Sequence, residues 1–144
     1  MKGGFIIIFF LMSHILFSQT VEDKVYFETE VDSVAQFPGG KDAFKKLAQR
    51  EVIYPSVAKR KETMGTITLE IIIDEKGIPI VKLLKDIGDD CGEAALKGFR
   101  KITLTWKPAQ KNGIPVKMKF IQKVEFKLDR KKFRKERLPT IQIP

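Results

Sequence analysis

Few side chains in this sequence could do covalent chemistry. The one histidine, His14, lies in an apolar N-terminal run, so Ser-His-Asp and Cys-His arrangements are unavailable and histidine metal ligation is absent. Cys91 stands near a helix start, where a thiol pKa can be lowered, but its short apolar surroundings read as those of a partly buried structural cysteine. Asp89 and Asp90 have the look of a carboxylate pair for general acid/base work; a helix cap explains them with fewer assumptions. Gly39-Gly40-Lys41 raises the question of an anion cradle. A phosphate loop wants a preceding strand and Lys-Ser or Lys-Thr after the glycines, whereas here Lys41 is followed by Asp42, whose charge opposes an anion. The pair reads instead as setting the angle at which Phe37 enters a helix, with Phe37 able to pack near Phe44. We therefore expect no enzyme and no catalytic, cofactor or metal residue.

The segments that carry these residues belong to a chain of 144 residues, 43% hydrophobic, which is enough for one core without disulfides or metals. Residues 1–18 read as a secretory signal peptide: Lys2, then an apolar run from Phe5 to Phe17, shorter than the roughly 20 residues of a membrane-spanning helix. An uncleaved short anchor is the other reading of that run. An exported chain whose single cysteine is Cys91 forms no internal disulfide. Net charge is +9, and residues 129–144 hold six Lys or Arg against two acids. Export argues against a nucleic acid partner and leaves anionic lipid, cell-wall polymer or acidic protein surfaces for this basic tail. A solvated tail kept for solubility fits equally.

Periodicity supplies the elements. Residues 19–35 read as an extended lead-in. From residue 41 to about residue 50, Ala43, Phe44, Leu47 and Ala48 share a helical face, and Pro55 suits the first position of a second short helix. Ile67, Leu69, Ile71 and Ile73 alternate along a one-sided strand, residues 74–77 form a turn, and a return strand lies near residues 80–85 with its alternation broken at Leu83 and Leu84. Asp90 with Glu93 matches a capping box before a helix whose Ala95, Leu96, Phe99 and Ile102 face inward. After Trp106 and an Asn-Gly turn, a last strand puts Val116, Met118, Phe120, Val124 and Phe126 on one face, with Gln122 the exception. That order predicts an α+β, two-layer domain, with helices on one face of a small antiparallel sheet of about three strands.

The stretches "YPSVAKRKETMGTITLEIIIDEKGIPIVKLLKDI", "EAALKGFRKI" and "WKPAQKNGIPVKMKFIQKVEFKL", in this order, resemble the TonB carboxy-terminal domain family, and "FPGGKDAF" resembles the lead-in of Bacteroidota members. The resemblance spans residues 36–128. It rests on Tyr54, Pro55 and Ala58 in the short helix, Gly65 before the first strand, Asp74 and Gly77 at the hairpin, and Trp106 and Pro108 after the last helix. It implies a periplasmic binding module of an energy transducer, whose partner is an outer-membrane TonB-dependent transporter gripped through an extended peptide. An edge strand with unpaired backbone groups can accept such a peptide. Residues 116–127 come last and alternate well, so Val116, Lys117, Lys119, Ile121, Lys123, Glu125 and Lys127 are the expected partner-binding positions. Their lysines fit a guard against aggregation just as well.

Overall fold

A computed structural model describes residues 24–128 and 140–144; the expected signal segment and most of the basic tail lie outside the described residues. The elements follow as β1 (Val25–Phe27), a 3-10 turn (Glu28–Glu30), α1 (Gly40–Glu51), α2 (Ser56–Arg60), β2 (Gly65–Ile73), β3 (Pro79–Lys85), α3 (Cys91–Arg100), β4 (Ala109–Lys111), β5 (Ile114–Lys127) and β6 (Thr140–Gln142).

Alternation decides which face of the sheet is covered. Ile67, Leu69, Ile71 and Ile73 of β2 and Met118, Val124 and Phe126 of β5 are at most 1% exposed, and most of them join Phe44 and Ala48 of α1 and Ala95 and Phe99 of α3 in one core. The helices therefore cover a single face. The β2–β3 turn is held by Asp74, whose carboxylate accepts the backbone N–H groups of Lys76 (2.9 Å) and Ile78 (2.7 Å). Gly77 is required twice over. Its φ is +82°, and a Cβ there would stand 1.9 Å from the Trp106 carbonyl oxygen. That close approach lets the Trp106 N–H donate to the Gly77 carbonyl at 2.9 Å and ties the hairpin to the segment before β4.

Two expectations need correction, and the broken alternation of the return strand finds its cause. The sheet has six strands and is mixed: the order is β1-β5-β2-β3, with β4 and β6 also on β5, and β1 runs parallel to β5. Only the β5-β2-β3 core is the antiparallel trio read from periodicity. The supposed capping box does not form, because Asp90 sits at φ +65° in the left-handed region and its side chain makes no cap bond. The broken alternation of the return strand is a β-bulge: Leu69 pairs with Leu83 and Thr68 with Lys85, leaving Leu84 as the extra residue and half exposed.

Candidate functional site

β5 is not an edge strand along its length, since residues 118–126 pair with β2. Among the described residues its other side is paired with strands only toward the ends. Met118 and Lys119 pair both with β2 and with β1, and Glu125 and Phe126 pair both with β2 and with β6, so β1 and β6 must share the edge of β5 opposite β2. Between Lys119 and Glu125 no described strand pairs with that edge. Among the described residues, 120–124 thus have no strand partner on that edge, a gap five residues long, although Pro144, running on from β6, reaches Gln122, and the Gln122 side chain engages the Lys123 carbonyl.

Of the expected partner-binding positions, the gap contains Ile121 and Lys123 alone. Val116 pairs with Ala109, Lys117 with Val25, Lys119 with Phe27, Glu125 with Gln142 and Lys127 with Thr140. Lys119 is engaged further, 3.3 Å from the Glu70 carboxylate and 4.6 Å from the Phe27 ring centroid. Lys123 is exposed and has no ion pair among the described residues.

On the helix side the gap borders a hollow of about 580 Å³, walled by Phe37, Phe44, Trp106 and Phe120, with Gln122 and Lys41 at its polar edge. Trp106 is the hub of this wall, with ring centroids 5.0 Å from Phe44, 5.2 Å from Phe37 and 5.6 Å from Phe120. The lead-in supplies the outer wall and is fixed there by backbone bonds: Gln36 N–H to the Lys107 carbonyl (2.9 Å), Lys107 N–H to the Gln36 carbonyl (2.8 Å), and Gln110 N–H to the Ser33 carbonyl (2.9 Å). Gly39 and Gly40, at φ +80° and +82°, let the chain turn from that wall into α1. Gln122, the apolar-face exception, is the only buried polar side chain among the described residues. Its Nε2 donates to the Lys123 carbonyl (2.9 Å) and the Pro144 carbonyl (3.4 Å). That break in the pattern, with the expected packing of Phe37 near Phe44, is the sequence signal of the hollow.

The remaining singled-out residues serve the frame. The Tyr54 hydroxyl donates to the Thr63 carbonyl at 2.5 Å, and burial raises its pKa. Pro55 stands one position before α2 as its N-cap, Ala58 is fully buried, Gly65 opens β2, and Pro108 immediately precedes β4. Asp89 accepts hydrogen bonds from Lys61 (2.6 Å) and the Thr63 hydroxyl, which hold its carboxyl below the usual range. Cys91 is fully buried; burial first, then the charges of Asp86, Asp89 and Asp90, push its thiol up to about 11. This thiol is the reverse of an activated one.

No group of acidic, histidine or cysteine side chains suited to a metal occurs among the described residues, and no helix among them is long and apolar enough to cross a membrane. Residues 50–128, more than half of the chain, match the family of Gram-negative bacterial TonB protein C-terminal domains. The chain belongs to this family. TonB C-terminal domains are periplasmic in general and act in energy-transducing transport together with outer-membrane TonB-dependent transporters. No curated protein and no solved structure matches the chain. Within this TonB C-terminal domain the matched segment holds the β5-β2-β3 core, whereas β1 and β6, the two strands that bound the gap, lie outside it.

Proposed function

We propose that this chain is a non-catalytic TonB-type binding module of the periplasm, which takes an extended segment of an outer-membrane transporter as an added strand on β5. The gap at residues 120–124 carries this reading. Main-chain N–H and C=O groups on an open edge give affinity for any extended segment, and the side chains beside them give selection. The sheet's other open flank, on β3, suits such a role less well. It begins at Pro79, carries the bulge at Leu84, and bears Lys82 and Lys85, which are devices that discourage pairing.

Capture from an outer-membrane extract, combined with residue-resolved amide exchange, tests this. Transporters should be enriched, and the amides of residues 120–124 that face the gap should exchange more slowly in the complex. Protection confined to β3, or an eluate without transporters, overturns the assignment.

A further inference from the structure

Strand addition accounts for the open backbone of β5 but not for the hollow beside it. Successive residues of a strand point to opposite faces, so a segment paired with residues 120–124 would send alternate side chains to the helix side. The positions opposite Phe120 and Gln122 would point into the hollow, which both residues line. Its volume of about 580 Å³ is that of a site for a ligand with several ring-sized groups, and Phe37, Phe44, Trp106 and Phe120 give it four aromatic walls. The next position along faces the other way, toward Lys123, where Pro144 already bounds the gap. Glu28, on the rim of the hollow and in the same recess as Lys123, disfavours an acid at either place.

We propose that the hollow takes two large apolar side chains of the partner, spaced two residues apart, at the positions opposite Phe120 and Gln122. Phe37 and Trp106, anchored by the lead-in and by the Gly77 contact, then become specificity-determining residues. The lead-in, which lies outside the matched family segment, becomes part of the binding site. This inference rests on strand addition at residues 120–124.

The probe is a blocked heptapeptide reading serine, threonine, phenylalanine, threonine, phenylalanine, threonine, serine, whose symmetry serves either strand direction. Its control replaces both phenylalanines with alanine. Trp106, the only tryptophan of the chain, reports on the hollow by its fluorescence, and amide exchange reports on strand pairing. The phenylalanine peptide should change Trp106 emission, slow exchange within residues 120–124, and bind at least about tenfold more tightly than the control. Val34→Phe adds a ring at a rim position that is 42% exposed, so it should abolish the preference while leaving the melting curve unchanged. Equal affinity of both peptides, with slowed exchange, overturns the hollow's role and leaves strand addition standing. A Trp106 response without slowed exchange overturns the coupled site. No slowed exchange with either peptide at millimolar concentration removes strand addition and the hollow's role together.

Discussion

Trp106 is 7% exposed, packed against three phenylalanine rings, and carries the only buried side-chain nitrogen or oxygen without a hydrogen-bond partner among the described residues. Trp106→Ala should cost about 3–5 kcal/mol in denaturant unfolding, as large aromatic truncations in a core do. Trp106→Phe should cost far less, because the lost ring area is offset by removal of an unsatisfied N–H worth about 1–3 kcal/mol. Equal losses for the two variants would contradict the unpartnered N–H. Cys91 makes a second prediction. Its folded thiol pKa stands near 11 against an ordinary 9.0, so the stability it contributes is full below pH 9 and is lost as pH rises toward 11. Thermal melts between pH 8 and 11 should fall more steeply for the wild type than for Cys91→Ala. Sequence alone could place Cys91 at a helix start, next to Asp89 and Asp90 and partly buried, but not the completeness of its burial or the approach of Asp86, which together push the thiol pKa up where a helix N-terminus alone would lower it.

At the level of elements, legibility followed length. α1, α3, β2 and the turn at Asp74 and Gly77 span enough residues for a period or a turn signal to be read. β1 and β6 are three residues each, too short for a period, and they are strands only because β5 offers them an edge. The pair Ile141 and Ile143, alternating in "TIQIP", was the overlooked cue to β6. Ile143 is 5% exposed and Ile141 packs against the core, so the last residues of the basic tail are structural. Deleting residues 140–144 should lower unfolding free energy by about 1.5–3 kcal/mol, the scale of burying one isoleucine. The same deletion lengthens the gap toward Lys127 and should leave peptide affinity intact or raised. A melting curve identical to the wild type would show that β6 contributes nothing to the core.

For the whole molecule, the two-layer arrangement was legible because one-sided strands and amphipathic helices admit few other packings. The identity of the open edge was not. It depends on β1 and β6 meeting β5 from opposite ends of the chain, pairings of Val25 with Lys117 and of Gln142 with Glu125 that no local pattern encodes. The matching of such distant segments also decides how the domain would behave under load. Tension drawn through the residues before Val25 reaches β5 by way of β1, which is held by three residue pairs and no side-chain core, while a segment seated in the gap is held both by its pairing with β5 and by its side chains in the hollow. β1 should rupture first. Its loss would open residues 117–119 next to the seated segment and let the pairing spread in that direction, so moderate pulling should lengthen the life of the attachment. Single-molecule force spectroscopy, pulling between the N-terminal end and the phenylalanine heptapeptide, should find bound lifetimes that first rise and then fall with force; a monotonic decline would mean that β1 holds as long as the grip does.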